Sequence, residues 1–188
     1  MKTKSFLFIL TAIVAIMNVN AQKNNSGIYL SAQDFAAKKI TYDGDRVKMN
    51  LLFNPTDIKV IQDGKTTTLF KVNVYGYKTR DNKTYRYYNE VAYEVINPQN
   101  GFLIYKLNRL SFSKNQQQSS YFFSTSADAP LQSLSIMNVK KAYPDDRNLH
   151  YAMDMLFRND EDLLRYDNYY KQYKIVELVK EESATAKM

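Results

Sequence analysis

The chain contains no cysteine, no tryptophan and a single histidine among its 188 residues. Without thiols it can build no disulfide framework, no Cys-ligated zinc or Fe–S cluster, no thiol redox centre and no lipid anchor on an N-terminal cysteine. One imidazole excludes multi-histidine metal sites as well, and no cofactor is called for. Glycine and proline are sparse, at 5 and 4 residues, and no linker rich in Gly, Pro or Ser divides the chain. A single domain is therefore expected.

What is present begins with a targeting pattern. Lys2 and Lys4 precede an apolar run from Phe6 to Met17, and Val19 and Ala21 are small residues at the positions a signal peptidase reads. Residues 1–21 are predicted to be a signal peptide, with the mature chain starting at Gln22. The run falls short of the roughly twenty apolar residues of a membrane span and ends at Asn18 and Asn20. No second run of that length follows, so the mature chain is expected to be soluble, with no transmembrane segment. An exported chain without cysteine must fold by packing alone, which suits a bacterial periplasmic or secreted protein rather than a lipoprotein. Loss of Lys2 and Lys4 lowers the formal charge from +7 to +5.

Residues 28–124 carry the period-2 pattern of strands, rich in Tyr, Phe, Val and Ile. Asp63-Gly64 predicts a hairpin between 57–62 and 65–70, because both residues tolerate positive φ. Asn100-Gly101 predicts another between 91–96 and 102–107, and Asp81-Asn82 turns the chain between strands at 72–77 and 85–88. A further strand fits 121–124. After Pro130 the spacing becomes helical at Leu131, Leu134, Met137 and Val139, then at Leu149, Ala152, Met153 and Leu156 behind a cap at Asp145 or Asp146. Leu163, Tyr166, Tyr169, Tyr170 and Tyr173 keep helical spacing, and 173–179 reads as a final strand. The predicted fold is α+β: an antiparallel meander, curled toward a partial barrel, with a mainly helical section at 131–171 packed on it.

Candidate chemistry is thin. His150 lies four residues before Asp154 on a predicted helix, within reach of a hydrogen bond that would orient an imidazole for an envelope hydrolase. No Gly-x-Ser-x-Gly elbow designates a nucleophile for it. Carboxylates at Asp43/Asp45, Asp145/Asp146 and 160–162 lack the spacing of a calcium loop. The richest feature is an aromatic and basic band between Tyr75 and Tyr93. On a regular strand Tyr75 and Tyr77 leave one face together, which makes Tyr75, Tyr77, Arg86 and Tyr88 the candidate ligand contacts for a glycan or an envelope protein. Residues 38–90 hold eleven basic and six acidic side chains. Export and the mixed charge argue against a nucleic acid, and a structural partner in an envelope assembly is the third reading.

The leader ending Val19-Asn20-Ala21-Gln22, the stretch Gly27-Ile28-Tyr29-Leu30 before Asp34-Phe35, and Val74-Tyr75-Gly76-Tyr77-Lys78 are together similar to small exported proteins of unassigned function from Bacteroidetes bacteria. Tyr85-Arg86-Tyr87-Tyr88-Asn89 and Lys140-Lys141-Ala142-Tyr143-Pro144 extend the resemblance, which implies export in a diderm bacterium and no particular activity. Expression of the full chain in such a host should yield a mature protein whose first residue, by terminal sequencing, is Gln22. Recovery of an unprocessed chain starting at Met1 from the cytoplasm would exclude the leader reading.

Overall fold

A computed structural model describes residues 26–50, 54–98, 101–110 and 117–185. The leader at 1–21 and Asn100 lie outside these residues. The architecture is α+β, built on an open eight-stranded antiparallel sheet rather than a closed barrel. The chain enters through β1 (Ser26–Tyr29), the short helix α1 (Ala32–Ala36) and β2 (Tyr42–Gly44). It then leaves for a separate three-stranded sheet of β3 (Arg46–Asn50), β4 (Asn54–Gln62) and β5 (Lys65–Phe70). It returns with β6 (Gly76–Lys78) and runs as a meander through β7 (Thr84–Tyr88), β8 (Val91–Val95), β9 (Leu103–Leu110), β10 (Gln117–Ser124) and β11 (Gln132–Ser133). β1 docks against β6 and carries β2 at the far edge.

The turns follow local chemistry. Asp63 and Gly64 both adopt positive φ, 49° and 78°, as a primed two-residue turn requires. Asn89 and Glu90 do the same between β7 and β8. The Asp81-Asn82 turn also forms, with Asn82 at φ 66°.

One row of side chains explains the layering. Ile28, Tyr77, Tyr85, Glu94, Lys106 and Tyr121 stand in register across six strands. At one end Ile28, Tyr77 and Tyr85 meet Ile58, Val60, Val47 and Leu69 of the three-stranded sheet. At the other end Tyr121, with Ile104 and Phe123 beside it, packs on the C-terminal helices. Glu94 opposite Lys106 divides these two cores, since opposite charges facing each other across strands suit the one stretch without apolar cover. The reverse face buries Tyr29, Tyr93, Leu103 and Tyr105 under Phe35 of α1 and the segment around Ala127. Each large side chain buried this completely contributes about 1.5–3 kcal/mol.

The chain departs from the sequence pattern in four places, three of them in the C-terminal section. Residues 131–134 contribute β11 rather than helix, and α2 (Ile136–Ala142) starts only after the cap Ser135, whose Oγ accepts from Asn138 N. α3 (Arg147–Leu156) follows with Asp146 as its cap. The tyrosine run does not continue as helix. A 3-10 turn at Asp160–Leu164 leads into a hairpin of β12 (Tyr166–Asp167) and β13 (Gln172–Tyr173), because Asp167 Oδ1 accepts from both Tyr169 N and Tyr170 N. The predicted strand at 173–179 is helix α4 (Lys174–Thr185). Ile175, Val176, Leu178 and Val179 are all buried in one core, which a helical stripe achieves and an alternating strand does not. Finally, the predicted strand at 72–77 is a 3-10 turn, Lys71–Asn73, followed only later by β6.

Burial raises the pKa of Tyr77 and Tyr87 and pushes Tyr143 up to about 12. Unfolded tyrosines ionise near pH 10, so the folded state holds protons that the unfolded state releases. Stability is therefore full below about pH 10 and declines as pH rises through the higher folded values. Guanidinium melts between pH 8 and pH 11.5 should show a falling midpoint above pH 10; a flat profile would contradict this burial.

Candidate functional site

The predicted contacts separate in the fold. Tyr75 and Tyr77 belong to different cores, because β6 begins only at Gly76 and Tyr75 N bonds to Tyr29 O, the residue that Gly76 already faces, so the strand alternation on which their shared face depended does not reach Tyr75. Tyr77 stacks on Tyr85 with ring centroids 4.8 Å apart and is 3% exposed, so it is core. Tyr75 packs on Phe35 at 5.3 Å and lies, with the half-buried Tyr88, around Arg86.

Arg86 is 4% exposed and forms no ion pair with a carboxylate among the described residues. Gly76 stands directly opposite it on β6, where a Cβ would run into Tyr85 O. Tyr75, Tyr88 and Tyr105 surround the guanidinium at 5.2, 5.5 and 5.7 Å, so ring faces supply part of what a carboxylate otherwise would. Its Nη1 donates to Tyr105 Oη at 3.1 Å and to Ser124 Oγ at 3.5 Å, and its Nη2 donates to Ala129 O at 2.9 Å. Its Nε has no hydrogen-bond partner among the described residues.

This network holds a loop. Ser124 Oγ donates to Ser126 O at 2.7 Å, so it accepts from Tyr105 Oη at 2.9 Å. Tyr75 Oη donates to Ala127 O at 2.6 Å. Three carbonyls of the segment 126–129 are thus tied to side chains rooted in the sheet. Burial holds the Tyr75 phenol well above its ordinary pKa, which keeps it a donor.

The tied loop forms one wall of a cleft of about 270 Å³, and α1 forms the other. Leu103 and Phe35 line its apolar part, the small side chains of Ala32, Ala36 and Ala127 leave room, and Gln33, Ser126 and Asp128 supply polar groups. Ser126 Oγ donates to Asp128 Oδ1 at 2.6 Å. That bond, the Asp128 backbone N–H and the Arg86 charge hold the carboxyl below the usual carboxylate range, so it is an anion at neutral pH. α1 is fixed by its own cap, with Ser31 Oγ accepting from Asp34 N.

The His150 and Asp154 side chains serve other partners. His150 Nε2 lies 2.8 Å from Tyr143 O and 3.1 Å from Lys140 O, so it carries the proton and donates to carbonyls at the end of α2. Asp154 pairs with Lys140 Nζ at 2.5 Å. Among the described residues no His, Asp or Glu cluster could hold a metal ion, and no helix is long and apolar enough to cross a membrane. No protein-family model, curated protein or solved structure matches the chain.

Arg86 was legible as part of a basic aromatic band, but its burial was not. The cleft residues were missed, because Ala32, Gln33 and Asp128 carry no spacing that connects α1 with a loop more than ninety residues later. Tyr75→Phe removes the donor to Ala127 O and should lower stability by about 1 kcal/mol. Arg86→Lys keeps the charge but loses the planar fork and should cost more, about 1–3 kcal/mol. Denaturant melts of both variants check the order; an Arg86→Lys protein as stable as the parent would show that the network does not hold the loop.

Proposed function

We propose that the protein is an exported, non-catalytic binding module that takes a neutral sugar unit of a glycan in the cleft between α1 and the loop 126–129. The observation that carries this reading is the loop itself. A buried guanidinium without a paired carboxylate is costly, and here it holds Ala129 O while Tyr75 and Ser124 hold Ala127 O and Ser126 O, so that three carbonyls of a surface wall are fixed and the site is preorganised before a ligand arrives. A pyranose presents hydroxyls at its edge and C–H bonds on its faces. Asp128, Ser126 and Gln33 suit the first, and the Leu103, Phe35 and alanine surfaces suit the second.

The volume lies at the small end for ligand sites, in keeping with one ring rather than an extended chain. Binding fits the chemistry better than cleavage. Glycoside hydrolysis needs two carboxyls, one kept protonated by a raised pKa, whereas among the described residues Asp128 is the carboxylate that lines the cleft and its pKa is lowered. Export rests on the leader pattern of residues 1–21, and a diderm envelope offers glycans in quantity.

Calorimetry of the mature protein against a panel of neutral oligosaccharides tests the reading. Asp128→Asn and Ala36→Trp, the second filling the cleft, should each weaken the best ligand at least tenfold without lowering Tm. Unchanged affinity in folded variants, or no binding to any member of the panel, would overturn it.

A further inference from the structure

The three-stranded sheet has a second face that its core does not use. Val47, Met49, Ile58, Val60 and Leu69 point inward to the aromatic core, so alternation sends Arg46, Lys48, Lys59, Thr66 and Thr68 outward. The register is specific. Lys48 stands directly opposite Lys59, which stands opposite Thr68, while Arg46 and Thr66 flank Ile61 in the neighbouring row. Arg46, Lys48, Thr66 and Thr68 are exposed and Lys59 is half-buried.

Like charges directly opposite each other on adjacent strands are destabilising. Nothing in the described structure offsets them, because none of the three cationic side chains takes part in an ion pair or a side-chain hydrogen bond among the described residues. The one carboxylate in these outward rows is Asp57, two residues from Lys59, and it already accepts from Thr56 Oγ1 at 3.3 Å. Phe70, 63% exposed, stands opposite Asp57 at the end of the face. The face therefore joins uncompensated positive charge, two exposed hydroxyls and one aromatic ring on a rigid sheet.

We propose that this outer face, centred on Arg46, Lys48 and Lys59, is a binding surface for an anionic polysaccharide. A polymer with closely spaced carboxylates or sulfates relieves the Lys48–Lys59 repulsion, Thr66 and Thr68 hydrogen-bond to sugar hydroxyls, and Phe70 offers a ring to a sugar face. A lipid surface suits the face less well, since Phe70 and the half-buried Ile61 are its apolar members and insertion needs a broad apolar side. The surface is separate from the cleft, and its positive charge selects an anionic glycan whereas the cleft takes a neutral sugar.

The test uses the mature protein, heparin fragments and polygalacturonate as probes, and phosphatidylglycerol vesicles as the competing source of negative charge. Lys48→Glu/Lys59→Glu should weaken polysaccharide binding at least tenfold and flatten its dependence on NaCl. Lys141→Glu/Lys180→Glu makes the same change in net charge elsewhere and should alter binding less than twofold. Lys48→Gln/Lys59→Gln removes the repulsion without adding acid, so it should fold with an unchanged or higher Tm and still lose affinity. Equal losses in the face and control variants would reduce the effect to net charge and overturn the proposal. So would failure of the parent protein to bind either polymer, or binding to vesicles in preference to both. Neutral sugars binding the charge-reversed protein normally would leave the cleft reading intact, so the two fail separately.

Discussion

The structure depends on one constraint: the eight-stranded sheet is apolar on both faces, and each face must be covered by chain that is not part of the sheet. An antiparallel sheet commonly leaves one side to water. Here Tyr77 and Ile104 require cover on one side, and Tyr29 and Tyr105 on the other. The excursion through β3–β5 and the C-terminal helices share the first face, with Glu94 and Lys106 in the gap between them. α1 and the segment after β10 cover the second. Disulfides are not available, so this double covering is what holds a chain of this size together.

The second face buries a guanidinium, a costly group to take out of water. Arg86 occupies a sheet position where an aliphatic residue would pack without penalty, yet it reaches through three tyrosine rings to hold Ala129 O, while Tyr75 and Ser124 hold the carbonyls just before it. The cleft follows from that arrangement, because a loop tied at three carbonyls stands off α1 instead of collapsing on it. Charge is divided between the two parts of the β region. The cleft presents a carboxylate, and the outer face of β3–β5 presents amines and a guanidinium, so the described residues offer surfaces of opposite sign to their surroundings.

Much of the sheet was legible because its signals are local. Asp63-Gly64 and Asp81-Asn82 need only their own backbone to turn, and the strands after them follow from period-2 patterning. Helix α3 was legible for the same reason, through Asp146 and the spacing of Leu149 and Met153. The errors fall where local preference met a tertiary demand. Residues 175–179 are rich in β-branched side chains, but burying Ile175, Val176, Leu178 and Val179 together requires a helix. Tyr166 to Tyr173 has helical spacing, but Asp167 captures two backbone N–H groups and turns the chain. Tyr75 and Tyr77 share a parity that an irregularity at the start of β6 cancels, where Tyr75 and Gly76 both face Tyr29.

The sequence by itself determined the class of fold, the turns at Asp63-Gly64 and Asp81-Asn82, the absence of thiol and multi-histidine chemistry, and the excess of positive charge in the β region. These depend on composition or on neighbours a few residues apart. Tertiary structure alone decided which tyrosines and which arginine are interior, and that α1 and the loop after β10 enclose a cleft. It also decided that Lys48 faces Lys59. Those facts concern residues brought together from distant parts of the chain, and burial and register are properties of the packed whole rather than of any local stretch.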